Sequence, residues 1–180
     1  MGAERERGVL PSASELQIAK ARQELRAEFR TIHAAETIDR VFAESLGAFA
    51  SAGVPHHVPT LAQRIVRDRL NALGQTEGSI PRERPLVVFV ELEGRGRSQM
   101  AAAFMSVRSQ GRIDSVAAAT NATIALDTNV VAAMAEIGID LSEGYAKPVN
   151  AEVLAAADVV VTLGRSVGAV EIPASARHED

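Results

Sequence analysis

The sequence predicts an α/β fold, a small parallel doubly wound sheet, preceded by an N-terminal three-helix bundle. Three observations carry this. Apolar residues recur at helical spacing before residue 74. Short apolar runs alternate with helical segments after residue 85. A polar stretch bounded by Gly and Pro lies between the two regions.

In the first region Ile18, Ala21, Leu25, Phe29 and Ile32 follow helical steps. So do Ile38, Val41, Phe42, Ser45, Leu46 and Phe49, and again Ala62, Ile65, Val66, Leu70 and Leu73. Each segment has one apolar stripe and must bury it against the others, and three such helices are satisfied by a bundle. Gly53-Val54-Pro55 separates the second helix from the third, and Thr60 with Gln63 is expected to form a capping box. Gly74 through Pro85 reads as a connector. The expected organisation is a bundle over 1–75, a linker over 76–85 and an α/β domain over 86–180.

In the second region Leu86–Val90 is a continuous apolar run, as befits a strand buried on both faces. Ser98–Ser109 is helical, Ile113–Ala119 is a second strand, and Asn129–Ile137 is a helix closed by Gly138. Ala151–Ala156 forms a short helix and Asp158–Leu163 a third strand. Strands alternating with helices give a parallel sheet covered on both faces.

Composition narrows the function classes. Aromatic residues are 3% of the 180-residue chain, with no Trp, so the core is built from Ala, Val, Leu and Ile. The formal net charge of -4 arises entirely after residue 80, and no basic field draws the chain to nucleic acid or acidic membranes. The absence of Cys excludes disulfides, thiolate catalysis and Cys-ligated metals. No apolar run is long enough to span a bilayer, and the N-terminus has neither a signal region nor the Ser or Thr that myristoylation after Met1-Gly2 wants. The expectation is a cytoplasmic protein with no membrane partner.

The segment Glu91–Ser98 lies at the carboxyl end of the first strand, where open α/β sheets bind ligands. Gly94 and Gly96 permit positive φ and let backbone N–H groups converge. Arg97 offers a planar fork to two anion oxygens, with Arg95 beside it. Ser98 is expected to cap the following helix, whose N-terminus favours negative charge. Gly94, Arg95, Gly96, Arg97 and Ser98 therefore form a candidate oxyanion-binding set. Gly-containing turns are also common structural elements, and spacing alone leaves both readings open.

The wider sequence resembles a known family. Phe89-Val90-Glu91 through Arg97-Ser98-Gln99-Met100-Ala101-Ala102-Ala103 is similar to the active-site loop of arsenate reductases of the low-molecular-weight tyrosine phosphatase family. Asn129–Met134, Gly138-Ile139-Asp140-Leu141-Ser142, Lys147-Pro148 and Val153–Gly164 fall in that family's order and spacing, over roughly residues 85–180. The bundle resembles the helical module that precedes some arsenate-reductase-like domains. The resemblance implies arsenate reductase or protein tyrosine phosphatase activity through a Cys ending the first strand, redox cysteines further on, and a general-acid Asp in a late loop. Here the nucleophile position is Glu91, and the redox positions fall near Arg165 and Ala169. The sequence stops at Asp180, where the acid loop and a last helix would follow. The expectation is that nucleophile, resolving thiols and general acid are all absent, and that a second subunit or the bundle covers the sheet face the last helix would occupy.

Two readings of Glu91 follow. Either its carboxylate pairs with Arg97, Arg95 or the loop N–H groups and imitates the bound anion, or it turns away and the arginines hold external phosphate, arsenate or sulfate. A carboxylate nucleophile would ordinarily recruit a metal, and the sequence offers no ligand cluster, so neither metal nor cofactor is expected. The remaining candidates read as structural. His56-His57 is a solvated turn, His33 an end-of-helix residue, His178 a frayed end and Asp140 a turn-stabilising residue. Arg64, Arg67 and Asn71 share a helix face, but Asp68 beside them and the neutral bundle argue against DNA. The expected role is that of a pseudoenzyme kept for binding, assembly or regulation, with a homodimer or a protein partner. Residual reductase or phosphatase activity by altered chemistry, and a helical regulatory or DNA-binding module, stay open as alternatives.

Overall fold

The computed structural model describes residues 12–50, 58–122, 125–164, 167 and 170–180. Helices α1 (Ala13–Phe29), α2 (Ala35–Ala50) and α3 (Val58–Thr76) come first. They are followed by β1 (Leu86–Glu91), α4 (Arg97–Ser109), β2 (Asp114–Ala119), α5 (Thr128–Glu136), α6 (Ala151–Ala156), β3 (Val159–Thr162) and β4 (Arg177–Glu179). The sheet has the order β2-β1-β3-β4 and every pair is parallel.

The three apolar stripes meet as their spacing requires. Leu25 and Phe29 of α1, Ile38 and Val41 of α2, and Val66 and Leu70 of α3 form one buried cluster. A capping box sits at the start of α1, where Ser12 and Glu15 satisfy each other's backbone N–H groups. The box expected at Thr60 and Gln63 does not form. Helix α3 already begins at Val58, and the Gln63 amide instead donates to Glu24 Oε2 at 2.9 Å. Helix α3 also runs further than the connector reading allowed, through Thr76. Ile80 then folds back so closely that a Cβ on Gly74 would lie 2.7 Å from its Cδ1.

His33 does more than end a helix. It is buried, stacks on Phe29, and its Nε2 donates to the Leu70 carbonyl at 2.8 Å, tying the α1–α2 turn to α3. The arginines on α3 are likewise committed within the fold. Arg67 pairs with Glu28 through two of its nitrogens at 2.8 Å, and Arg64 lies over the Tyr145 ring, 5.4 Å from its centroid.

Alternation along the strands gives the sheet its two apolar faces. Val88, Val90, Ala118 and Val160 pack against Val153, Leu154 and Ala156 of α6, together with Ala72 of α3. Val87, Phe89 and Ala117 pack against Ala102 of α4 on the opposite face. The bundle thus reaches the sheet on the α6 face. It is fastened there by Arg69, whose guanidinium is buried and donates to Glu152 (3.0 and 2.7 Å), Glu44 (2.6 Å) and Ser45 Oγ (3.0 Å). Lys147 adds an ion pair to Asp68 at 2.7 Å.

Strand β4 was not expected, because Arg177-His178-Glu179 has no apolar residue to mark it. His178 is not frayed but lies in register with Val160. The Gly53–Pro55 break and His56-His57 lie outside the described residues. Among the described residues no helix is long and apolar enough to cross a membrane.

Candidate functional site

Strand β1 delivers Glu91 to the carboxyl edge of the sheet, and α4 starts six residues later. A helix N-terminus leaves N–H groups without intrahelical partners. Here Glu91 takes them. Its Oε1 accepts the Ser98 N–H at 3.0 Å, the Gly96 N–H at 3.2 Å and the Ser98 hydroxyl at 2.7 Å, while Oε2 lies 3.4 Å from Arg97 Nε. Glu91 is 5% exposed and Ser98 wholly buried. Burial pushes the Glu91 carboxyl up. The Ser98 hydroxyl, the Ser98 and Gly96 N–H groups and the Arg97 guanidinium together outweigh it and hold the group below its ordinary value. A carboxyl depressed in this way adds stability that is present above its unfolded pKa of about 4.3 and is lost as pH falls through the lower folded value.

The loop is shaped by contacts on both sides. Gly94 has φ +71° and faces a tight wall, since a Cβ there would lie 2.8 Å from Ala119 Cβ and 2.9 Å from Ala146 Cβ. The Gln99 amide donates to the carbonyls of Gly94 and Tyr145, each at 3.2 Å, locking the loop to the segment before Lys147. The Arg95 carbonyl accepts the Asp127 N–H at 3.0 Å, and its side chain is exposed. Arg97 lies over Gly164, where a Cβ would come within 2.8 Å of its Nη1.

Two expectations need correction. Gly96 does not use positive φ; it is the N-cap of α4 at φ -153°, and a Cβ would press on Val130 Cγ2 at 3.2 Å. Ser98 is not the cap but a first-turn residue whose hydroxyl turns inward to Glu91. Of the five sequence-selected residues, Gly96, Arg97 and Ser98 converge on Glu91, Gly94 shapes the loop, and the Arg95 side chain faces solvent. Tyr145 and Gln99 are the residues that sequence reasoning missed. Asp140 accepts the Ser142 N–H at 2.8 Å, as a turn-stabilising residue should. Arg165 and Ala169 lie outside the described residues.

Because Gly94 is both left-handed and walled in, Gly94→Ala is expected to lower stability by about 2–4 kcal/mol, measured as a shift of the urea midpoint at unchanged slope. A loss under about 0.5 kcal/mol would show that the loop relaxes freely and that the close packing is not required.

Comparisons with known proteins follow the same division of the chain. Residues 86–177 match the family model described as low molecular weight phosphotyrosine protein phosphatase. Residues 18–74 match the one described as protein-tyrosine-phosphatase-like, N-terminal domain. Among solved structures, the thioredoxin-dependent arsenate reductase Cg_ArsC1' of Corynebacterium glutamicum is 29% identical. It aligns over 91% of this chain and 82% of its own with a TM-score of 0.84. An arsenate reductase described in its phosphate-binding state is 28% identical over 51% of this chain and 67% of its own, with a TM-score of 0.43. A mutant of YwlE from Bacillus subtilis is 23% identical over 46% of this chain and 59% of its own, with a TM-score of 0.42.

Proposed function

Because the chain belongs to the low molecular weight phosphotyrosine protein phosphatase family, whose model spans residues 86–177, we propose that it is a pseudoenzyme of that family in which the anion cradle is filled by its own Glu91. Its role under this reading is binding, assembly or regulation rather than turnover. One observation carries the proposal: a single oxygen of Glu91 collects the Gly96 N–H, the Ser98 N–H and the Ser98 hydroxyl.

The chemistry follows from that occupancy. The residue in the family's nucleophile position cannot attack a phosphoryl or arsenyl centre seated in a cradle it fills. An external oxyanion at about 4 Å from Glu91 meets a repulsion on the order of 4 kcal/mol per pair of unit charges at an effective dielectric of 20. Loss of a nucleophile alone removes roughly 10⁴–10⁶ of rate. The alternative, residual reductase or phosphatase activity, needs Glu91 to leave the loop and abandon three hydrogen bonds. The same proposal treats residues 1–75 and 86–180 as two modules joined by 76–85, supported by family matches that stop on either side of that connector.

Calorimetric titration with phosphate, arsenate and sulfate at neutral pH tests the filled cradle. No heat of binding is expected at micromolar ligand, and micromolar affinity would sink the idea. Hydrolysis of p-nitrophenyl phosphate is expected to match buffer alone; clear turnover would restore the enzymatic reading. Acid provides a second test. Sulfate stays divalent in mild acid while Glu91 becomes neutral as pH drops through its lowered folded pKa. Sulfate affinity is therefore expected to rise on acidification, read from the Ser98 amide resonance. A flat profile would mean that Glu91 does not control access.

A further inference from the structure

Taking the cradle as filled by Glu91, we infer that Tyr145 is a positioning residue for the loop, the contact through which the helical bundle holds residues 94–98 closed around that carboxylate. Three consecutive residues, Tyr145, Ala146 and Lys147, lie between the bundle and the loop and touch both.

Successive side chains of an extended segment point to opposite sides. Those of Tyr145 and Lys147 go to the bundle. The Tyr145 ring is buried in one cluster with Ala62 and Ile65 of α3, and Leu46 and Leu61 pack against it. Among the described residues no other from beyond α3 belongs to that cluster. Arg64 of α3 lies over the ring, and Lys147 Nζ stands 5.7 Å from its centroid while pairing with Asp68 at 2.7 Å. The side chain of Ala146, between them, goes to the loop. It is wholly buried and forms one wall against Gly94. The main chain adds two ties. The Tyr145 carbonyl accepts from the Gln99 amide, which also holds the Gly94 carbonyl. The Lys147 carbonyl accepts the Ala119 N–H at 2.8 Å, and Ala119 is the other wall against Gly94. A ring that shifts in the bundle therefore disturbs one wall of Gly94, the tie to the other wall and an acceptor of Gln99.

The same ring carries a reason to shift. Among the described residues the Tyr145 hydroxyl has no hydrogen-bond partner, although the residue is only 6% exposed. Burial, with Asp68 nearby, pushes the phenol up to about 12, so at neutral pH it keeps its proton and stays a donor without an acceptor. A buried unpaired donor disfavours the closed form, and leaving the cluster wets it. Packing of the ring thus closes the loop while its hydroxyl opposes closure. Any displacement of α3 at Ala62 and Ile65 bears, through this ring, on the donors that hold Glu91.

Amide hydrogen exchange on the full chain tests the coupling. It is read at Gly96 and Ser98, the backbone donors of Glu91, against Val88 and Val160 in the buried centre of the sheet. Tyr145→Phe keeps the ring and removes only the unpaired hydroxyl. Exchange at Gly96 and Ser98 is expected to slow about tenfold, because the open form no longer gains by wetting that group. Arg64→Ala, on the exposed side of α3, loosens the ring and should speed exchange at the same two amides about two- to fivefold. Loop rates unchanged in either variant, while Val88 and Val160 respond, would reduce Tyr145 to a structural residue and overturn the inference. Faster loop exchange in Tyr145→Phe would overturn it too, by showing that the hydroxyl is paired. Should Gly96 and Ser98 exchange in the unmodified chain as fast as free amides, the filled cradle fails by itself. The coupling is then read from the Gln99 carboxamide protons, which should slow in Tyr145→Phe and speed in Arg64→Ala; no change there would overturn it.

Discussion

Replacing Arg69 with alanine is expected to cost the fold about 3–5 kcal/mol, the usual penalty for breaking a buried ion pair and stranding its partner. Arg69 is 8% exposed and holds Glu152 by two hydrogen bonds while also reaching Glu44 and Ser45. The stranded group is Glu152, whose side chain is 12% exposed; Glu44 at 45% can turn to water. Glu44→Gln is therefore expected to cost under about 1 kcal/mol, as an exposed partner does. Burial pushes the Glu152 carboxyl up, and the Arg69 hydrogen bonds more than reverse this, leaving it below its ordinary value. Its contribution is present above the unfolded pKa of about 4.3 and fades as pH falls through the lower folded value. The stability gap between the unmodified chain and Arg69→Ala should narrow accordingly in acid. Chemical denaturation across pH measures both effects. A gap below about 1 kcal/mol at neutral pH would show that α3 and α6 are held by apolar packing alone.

Removing the Glu91 carboxylate is expected to convert the loop into an oxyanion site. Glu91→Ala vacates the positions its oxygens hold and leaves the Gly96 and Ser98 N–H groups, the Ser98 hydroxyl and Arg97 without their acceptor. Unfilled, those donors should lower stability by about 2–4 kcal/mol. Sulfate, phosphate or arsenate should restore part of that loss and bind on the order of a hundredfold more tightly than to the unmodified chain. Glu91→Gln separates charge from occupancy. Its carboxamide oxygen still accepts from the loop but carries no charge, so it should bind oxyanions more tightly than the unmodified chain and less tightly than Glu91→Ala. Titration calorimetry on the three proteins reads the order directly. Equal affinities for all three would mean that Glu91 does not fill the cradle.

Much of this architecture was legible in the sequence because it depends on periodicity. Leu25, Val41 and Leu70 had nowhere to go but a shared interior, and Leu86–Val90 could only be a strand covered twice. The short helix Ala151–Ala156 was located to the residue. What escaped depends on contacts distant in the chain. Gln63 looked like a capping residue because its neighbours permit one, whereas Glu24 on another helix takes its amide. Strand β4 escaped because three exposed polar residues carry no pattern, and only the neighbouring edge of β3 defines them. At the loop, sequence spacing selected Gly96, Arg97 and Ser98, but it could not choose among the partners open to Glu91. That choice is made by the start of α4, which presents two N–H groups and a hydroxyl to one oxygen. Tyr145, the only tyrosine in the chain, joined the site through its backbone carbonyl, which no side-chain motif records.

The clamp between α3 and α6 also bears on how the protein is made. On a ribosome adding about 5–20 residues each second, the bundle can close as soon as α3 emerges. Its contacts Ala72 and Arg69 must then wait until α6 follows, with Arg69 and Glu152 separated by 83 residues, an interval of roughly 4–17 s. An apolar residue at position 69 would present a sticky surface to other nascent chains throughout that delay. A guanidinium paired with Glu44 tolerates water until Glu152 arrives, so the side chain that fastens the finished protein adds no apolar surface to the half-made one.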